Sequence, residues 1–407
     1  MAATAQAGRS DGLIIGLVGF AHLMSHFYQI ALGPLFPLLK VEFGVSYTAL
    51  GLLVTVFYGT SGVCQSFAGI LVDRYGGDRL LLFGITTMSI CVFLMGLAPS
   101  YWALLPLAMI AALGNSVFHP ADLSILSAKI DPRRMGRAYA VHGFAGTCGY
   151  FLSPVVVFYG VASVAGWRVA LMTAGGIGLV AAALVYKFRD ALRMPAGSTD
   201  SGAAMPGIGF YVKLILSVPL MAAFAYFALI SAAMIGIQNF SNTAFLELYN
   251  APLYLATAGM TAYLGAGAVG NLVGGELVDR YQRQALIASV GLSFCAVFMA
   301  CVAFLSLPMA VNIALFGGVG FCSGMTHASR DILVRAAAPE GATGKVFGFV
   351  YSGLDFGGAL APLLFGWLMD DGQYRGVFLG IAVMYLICVV SVLQLKQGRG
   401  AVSAEAD

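Results

Sequence analysis

Histidine is the residue type in this sequence best suited to proton chemistry, and all five copies fall inside or at the edges of apolar segments. They are His22, His26, His119, His142 and His327. His22 and His26 are four residues apart and therefore share one face of a helix. A histidine with an ordinary pKa of about 6.5 gains and loses a proton near neutral pH, so this pair is a candidate for coupling to a proton gradient. A hydrogen-bonded packing role is the alternative.

These residues alone predict no metal site. A metal needs His, Cys or carboxylate ligands that converge, and the spacing His22-x3-His26 supplies only two of them. The cysteines fall inside apolar runs without a CxxC spacing, which is typical of packing residues. No Walker loop or cofactor fingerprint occurs, so the sequence predicts no cofactor and no enzyme.

One carboxylate lies deep in an apolar segment. Asp355 is about twelve residues into the predicted helix 343–368. An intramembrane carboxylate is costly unless it is paired or faces water, so Asp355 is the acidic candidate for proton binding. A structural aspartate that bonds to a serine is the alternative.

The elements that carry these residues are membrane helices. Hydrophobic residues make up 60% of the chain and charged residues only 10%, against about 25% charged in soluble domains. We predict an all-α membrane protein with twelve transmembrane helices in two pseudo-symmetric six-helix bundles, embedded in the lipid bilayer. The predicted helices are 12–39, 47–72, 79–97, 101–127, 137–162, 166–187, 212–241, 252–278, 285–305, 308–329, 343–368 and 374–395.

Charge predicts the orientation of these helices. Nearly all lysines and arginines fall in the segments on the side of the N-terminus, and the other side carries only Lys40, Arg168 and Arg375. The positive-inside rule therefore predicts a multi-pass protein of the cell inner membrane with both termini in the cytoplasm. A net charge of +3 gives no reason to expect nucleic acid as a partner.

The two halves of the chain repeat each other. The segment from Gly69 to Tyr75 recurs from Gly275 to Tyr281, and four further matches share an offset of 208: His119 with His327, Gly136 with Gly344, Gly149 with Gly357, and Pro154 with Pro362. We predict an N-terminal bundle at 1–188, a cytoplasmic linker at 189–208 and a C-terminal bundle at 209–407. Such parallel repeats place the solute site at the bilayer midplane and alternate its access.

The same offset aligns Arg330 with Asp122. The two could pair as an inner gate, with Asp331 beside them. Arg330 could instead bind an anionic solute, because a guanidinium matches carboxylate and phosphate, or it could anchor a helix end.

The repeated segment resembles the loop signature of the major facilitator superfamily. In the first copy the matching residues are Gly69, Asp73, Arg74 and Gly76; in the second they are Gly275, Asp279 and Arg280, with Gln282 in place of the last glycine. The resemblance implies the major facilitator fold and a role for these residues in conformational gating. It also implies that a monomer is sufficient.

A closer resemblance points to the fosmidomycin-resistance branch of that superfamily. It rests on His22-Leu-Met-Ser-His26, on Pro34-Leu-Phe-Pro37 and on Gly114-Asn-Ser-Val-Phe-His119-Pro120, although members of the branch commonly carry a carboxylate where this chain has His26. The resemblance implies proton-driven efflux of a small compound. Because helices 1, 2, 7 and 11 line the pathway in the superfamily, it also implies solute contacts at Tyr28, Gln29, Tyr58, Gln238, Asn242 and Tyr351.

Helix 5 is rich in glycine. Gly143, Gly146 and Gly149 precede Pro154 in a pattern that resembles the antiporter signature, and Gly357 and Pro362 echo it in helix 11. Glycines let helices approach closely and proline bends them, so a packing role is the alternative.

Together these features predict a secondary active transporter. The leading hypothesis is a proton-coupled antiporter that exports a small anionic or drug-like organic compound by alternating access. The alternative is a proton-coupled importer of a small organic anion such as a monocarboxylate, with Arg330 as the anion contact. A membrane sensor would need a signalling domain, for which the predicted linker and tails are short.

Overall fold

The computed structural model describes residues 2–131, 134–193, 217–281, 283–327, 329–330, 332–333 and 343–404, and all regular structure in these ranges is helical. This confirms the predicted all-α membrane fold. We number the helices whose bounds lie in these ranges α1 to α15 in chain order: Ala2–Gln29, Phe36–Phe43, Tyr47–Tyr75, Gly77–Gly96, Tyr101–Ser116, Phe118–Lys129, Met135–Pro154, Ser163–Lys187, Arg189–Leu192, Val218–Tyr249, Leu253–Arg280, Gln284–Phe304, Met309–Met325, Thr343–Asp370 and Tyr374–Ala404. The described residues between 327 and 333 are helical as well.

Within the described ranges, nine helical stretches are long and apolar enough to cross a membrane. One of these stretches, 137–187, combines two predicted helices, and Met309–Met325 is apolar but shorter than a full span. The count of twelve therefore stays a prediction, whereas the multi-pass membrane architecture is confirmed.

Prolines break the predicted helices where the structure differs from the sequence-based bounds. The predicted helix 101–127 is divided into α5 and α6 at Val117. Pro120 lacks an N–H and its ring crowds the carbonyl four residues earlier, so it fits the first turn of α6 rather than a helix interior. After Pro154 the chain continues as a π-helical stretch, Val155–Ala162, because the missing N–H disrupts the regular bonding pattern.

The chain folds into two compact units. The first contains residues Met1–Val45 and Val56–Ser201. In it α1 packs on α7, and α4 packs on α5 and α8. A β-carbon at Gly149 of α7 would collide with the carbonyl oxygen of Leu23 in α1, so glycine is required for this helix contact.

The second unit contains residues Ser46–Thr55 and Gly202–Asp407. In it α10 packs on α14 and α15, and α11 packs on α13. Gly357 of α14 repeats the role of Gly149, since its β-carbon would collide with the carbonyl oxygen of Ala228 in α10. The predicted packing role of the repeated glycines thus has the same physical basis in each unit. The predicted domain boundaries themselves stay predictions.

The first turn of α3 belongs to this second unit and is capped by Asp370, the last residue of α14. Oδ1 of Asp370 accepts a hydrogen bond from the backbone N–H of Tyr47 at 2.7 Å. Oδ2 accepts from the backbone N–H of Thr48 at 2.9 Å and from its hydroxyl at 2.6 Å. A carboxylate is well suited to this place because the first N–H groups of a helix have no partner within the helix.

Candidate functional site

Four histidines and one aspartate of the first unit form a compact group, here named the histidine–aspartate cluster. Helix α1 contributes two of the histidines, α6 contributes one histidine and the aspartate, and α7 contributes the last histidine. The members are His22, His26, His119, Asp122 and His142. The break before α6 and the glycines of α7 bring these three helices together at this depth.

Asp122 is the centre of the cluster and is fully buried. Its Oδ2 lies 3.0 Å from Nε2 of His142, in hydrogen-bond geometry, and 3.1 Å from Nδ1 of His22. The rings of His22 and His142 stack with their centroids 3.7 Å apart. The predicted pairing of Asp122 with Arg330 stays a prediction, but within the first unit the partners of this carboxylate are imidazoles.

The other two histidines extend the cluster. The ring of His26 lies 4.4 Å from that of His22, and the ring of His119 lies 5.2 Å from it. Gly146 leaves room for the rings of His22 and His26, because a β-carbon at Gly146 would come within 2.9 Å of atoms of both rings. Gly146 thus lies directly against two histidines of the cluster, and its predicted helix-packing role stays a prediction.

A hydrogen-bonded network around Gln29 lies next to the cluster. Its amide oxygen accepts hydrogen bonds from the hydroxyls of Tyr150 at 2.7 Å and Tyr58 at 3.3 Å. Its amide nitrogen donates to Oδ1 of Asn115 at 3.1 Å and to the hydroxyl of Ser25 at 3.4 Å. The structure therefore brings two predicted solute contacts, Gln29 and Tyr58, together.

Tyr150 connects this network with the cluster, since its ring lies 4.4 Å from that of His26. Asn115 extends the network to α3 by donating to the hydroxyl of Ser61 at 2.9 Å. Ring contacts and hydrogen bonds thus connect Asp122, by way of His26 and Tyr150, with Ser61 on α3. Within an apolar bundle such a chain is a route along which protons or polar solute groups can be bound.

In the second unit the predicted anion contact, Arg330, lies against aromatic rings. Its guanidinium carbon is 4.6 Å from the ring centre of Phe227 and 5.9 Å from that of Tyr351. Asp355 follows Tyr351 by one helical turn on the same face of α14. Asp355 is partly exposed and makes no ion pair with any residue that the structure describes.

Two further predicted contacts lie on α10. Gln238 is fully buried, and neither its amide nitrogen nor its amide oxygen has a hydrogen-bond partner among the described residues. Asn242 is also buried, and its side-chain oxygen accepts a bond from the backbone N–H of Thr243 at 2.9 Å. A buried amide with two unpaired atoms is costly, which makes Gln238 the better candidate for a solute contact.

Tyr28 of the first unit bonds neither to the histidine–aspartate cluster nor to the network around Gln29 among the described contacts. Its hydroxyl donates to the side chain of Ser89 at 2.9 Å and lies 3.1 Å from the carbonyl oxygen of Ala174. A β-carbon at Gly178 would collide with this hydroxyl. Tyr28 therefore stabilises the contact of α1 with α4 and α8 in this conformation.

The predicted gating residues lie at helix ends. Gly76 has a φ of 89°, which glycine adopts without strain, and it separates α3 from α4. A β-carbon at Gly69 or Gly275 would meet no atom within 4 Å, unlike one at Gly149. Arg74 lies 5.4 Å from the ring of Tyr75, and Nε of Arg280 lies 2.7 Å from the carboxylate of Glu276. The side chains of Asp73 and Asp279, all of Asp331 and the predicted linker beyond 193 lie outside the described residues.

Two side chains of α7 that contact predicted site residues, His142 and Tyr150, were not assigned to the site from the sequence, although His142 was named among the histidines of the apolar segments. Together with Gly146 they are spaced by four and share one helix face, as His22 and His26 do on α1. That matching periodicity was the available signal. It could not show that the two faces meet, because helix pairing is a long-range property.

Comparison with known proteins gives a consistent match. The Major Facilitator Superfamily family model matches residues 18–329 and 228–405. The Fosmidomycin resistance protein of Escherichia coli (strain K12) is 26% identical over 96% of this chain and 94% of its own length. The Multidrug resistance protein MdtG of Citrobacter koseri is 24% identical over 91% of this chain and 92% of its own length. The solved structure of the nucleoside transporter NupG shares the fold, with a TM-score of 0.75 at 13% identity over 94% of this chain and 99% of that one.

Proposed function

Because the chain belongs to the major facilitator superfamily, whose members carry small molecules across membranes, we propose that it exports a small organic compound in exchange for protons. The exporter works by alternating access in the cell inner membrane, with both termini in the cytoplasm. The solute is anionic or drug-like. Likeness to a fosmidomycin resistance protein and to a multidrug resistance protein supports export.

The observation that carries proton coupling is the position of Asp355. It lies in the interior of α14, between Thr343 and Asp370, in a helix that crosses the membrane. A carboxylate at such a depth must be neutralised by a partner or by a proton, or it must face water. Asp355 has no ion-pair partner among the described residues and is partly exposed, so we assign its neutralisation to a proton or to water of the transport pathway.

Exchange requires that proton and solute compete for one site. When Asp355 is ionised, its carboxylate accepts hydrogen bonds from an N–H or O–H group of the solute, and any negative group of that solute must lie away from this carboxylate. When a proton binds, the carboxyl loses its charge and one of its oxygens becomes a donor, so the charge-assisted hydrogen bond to the solute is lost. Tyr351, one turn away, offers its ring to the same solute.

A second candidate function is suggested by Arg330, whose guanidinium lies over the ring of Phe227. This arrangement suits a carboxylate or phosphate, since a guanidinium that stacks through its face binds such groups through its edge by paired hydrogen bonds. An anion near Asp355 is repelled while that residue is ionised, so anion and proton bind together rather than in competition. The result would be import of a small organic anion with protons.

The direction of the driving gradient separates the two functions. We would measure accumulation of fosmidomycin and a panel of organic anions in proteoliposomes with an imposed pH gradient. An exchanger accumulates its solute when the vesicle interior is acidic, and an importer does so when the exterior is acidic. Absence of gradient-driven accumulation for all compounds in both directions would contradict proton coupling.

Asp355→Asn tests the coupling residue, because asparagine imitates the protonated carboxylate in shape but cannot ionise. For an exchanger we expect loss of gradient-driven transport, with weaker solute binding that no longer depends on pH. For an importer the same variant binds its anion more tightly. The matched control is Asp371→Asn. Asp371 lies just outside the membrane-spanning helix, and its carboxylate accepts a hydrogen bond from the side chain of Gln373. Unchanged driven transport in Asp355→Asn would reject the assignment.

A further inference from the structure

We propose that the histidine–aspartate cluster of the first unit binds a divalent transition-metal ion such as Zn²⁺ or Co²⁺. The ligands assigned are Nδ1 of His22, Oδ2 of Asp122 and Nε2 of His142. These three atoms all lie within 4.8 Å of one another, and all three residues are buried. The ligands come from α1, α6 and α7, so their convergence depends on the packing of three helices.

The distances suit a metal. Oδ2 of Asp122 is 3.1 Å from the nitrogen of His22 and 3.0 Å from that of His142. If one ion bonded all three atoms at about 2.1 Å, the ligand–ion–ligand angle for each of these two pairs would be roughly 95°. An opening of a few tenths of an ångström brings the angles to those of a tetrahedral ion. The two rings must also turn, because they stack at 3.7 Å with an interplanar angle of 24° and each nitrogen lone pair lies in the plane of its own ring.

Unpaired atoms in the cluster supply an independent reason for an ion. Nδ1 of His22, Nδ1 of His26 and Oδ1 of Asp122 are buried and have no hydrogen-bond partner among the described residues. Nδ1 of His22 lies close to the carboxylate but outside hydrogen-bond geometry. Hydrogen bonding alone therefore satisfies only the contact with His142, whereas an ion between the rings and the carboxylate satisfies the nitrogen of His22 as well.

The donor set determines the class of ion. Two imidazole nitrogens and one carboxylate oxygen suit Zn²⁺, Co²⁺ and Ni²⁺, whereas Mg²⁺ and Ca²⁺ prefer oxygen donors alone. His26, whose ring lies 4.4 Å from that of His22, lies beside the three converging ligand atoms and is not one of them, so we assign the fourth position to a water. Gly146 keeps the space beside both rings open.

Cobalt alone is a suitable probe, because the visible absorption of Co²⁺ reports its coordination. The full chain, purified in detergent without a polyhistidine tag and stripped with a chelator, would be titrated with CoCl₂ and then with ZnCl₂. We expect one Co²⁺ per chain, a visible band stronger than that of the hydrated ion, and loss of the band when Zn²⁺ displaces Co²⁺. A titration that does not saturate, or a spectrum identical to that of hydrated Co²⁺, would overturn the proposal.

Variants locate the ion. His142→Gln and Asp122→Asn should each weaken Co²⁺ binding by at least about tenfold. His327→Gln is the matched control, since it removes a histidine from the second unit, and it should bind Co²⁺ as the unchanged protein does. If the two cluster variants also bind as tightly, the ion is adventitious and the proposal fails.

A second measurement guards against misfolded variants. Zn²⁺ should raise the melting temperature of the unchanged protein and of His327→Gln, because a ligand that binds only the folded state stabilises it. It should leave the melting temperature of His142→Gln unchanged. An equal rise in all of them would overturn the assignment even if one variant is destabilised. Neither measurement depends on transport, so failure here leaves the proton-coupled function untouched.

Discussion

The capping of α3 by Asp370 can be tested most sharply. We expect Asp370→Ala to loosen the first turn of α3, because it removes the acceptor of the backbone N–H groups of Tyr47 and Thr48 and of the Thr48 hydroxyl. Loss of a helix cap costs about 1–2 kcal/mol. Since about 1.4 kcal/mol is a factor of ten, the open form of this turn should become roughly 5 to 30 times more populated.

Hydrogen–deuterium exchange measured by mass spectrometry reports this opening directly. In Asp370→Ala the amides of Tyr47 and Thr48 should exchange faster by that same factor. The amide of Ala49 should be less affected, because it donates to the hydroxyl of Ser46 at 3.1 Å and this acceptor remains in Asp370→Ala. The peptide that covers α8 serves as a reference within the same sample.

The neighbouring carboxylate provides the matched control. Asp371 accepts a bond from the side chain of Gln373 and none from α3 among the described residues. Asp371→Ala should therefore leave exchange in α3 unchanged, although it removes the same charge one residue away. Equal exchange of Tyr47 and Thr48 in Asp370→Ala and in the unchanged protein would refute the capping argument, and so would an equal acceleration in both variants.

Three further predictions concern the first unit. Gln29→Leu removes four hydrogen bonds at about 0.6 kcal/mol each, so it should cost about 2 kcal/mol and lower the melting temperature by a few degrees; an unchanged melting temperature would show that the network contributes nothing. Gly149→Ala should destabilise by about 1–3 kcal/mol through overpacking, whereas Gly143→Ala, which faces open space, should melt like the unchanged protein; similar melting of both would contradict the contact. Arg168 of α8 donates to the carbonyl oxygen of Ala98 and pairs with the carboxylate of Glu42. Arg168→Lys cannot make both contacts, yet it should lower the free energy of unfolding by at most about 1 kcal/mol because the ion pair is exposed. A larger decrease in thermal denaturation would contradict this reasoning.

The membrane fold could be predicted from the sequence because it follows from local properties. Apolar segments and the charge bias each depend on a short window of residues, and the repeat is found by comparing two such windows. The glycines at 149 and 357 were predicted to pack helices on the same grounds, and each lies against a backbone carbonyl of a neighbouring helix. Helix breaks were less predictable, because not every proline ends a helix. Pro120 follows the break between α5 and α6 at Val117, whereas Pro106 lies inside α5 and Pro362 inside α14.

The site was predicted only in part, because its groups come from different helices. His22 and His26 could be identified as a pair from their spacing along α1. Their partners Asp122 and His142 could not, since nothing in the sequence states which faces of α6 and α7 meet α1. Tyr28 shows the same limit: it directly precedes Gln29 on α1, yet its hydroxyl bonds to α4 because successive residues lie about 100° apart around a helix. Its predicted solute contact stays a prediction.

The repeat has a chemical asymmetry with a historical consequence. Position 122 holds an acid and position 330, its counterpart 208 residues later, holds a base, although His119 and His327 beside them are identical. An ancestor with two identical halves would have carried the same sign of charge at both places. The present pair therefore records divergence after duplication, and a chimera built from two copies of the first half would carry aspartate at both places and no arginine at this position.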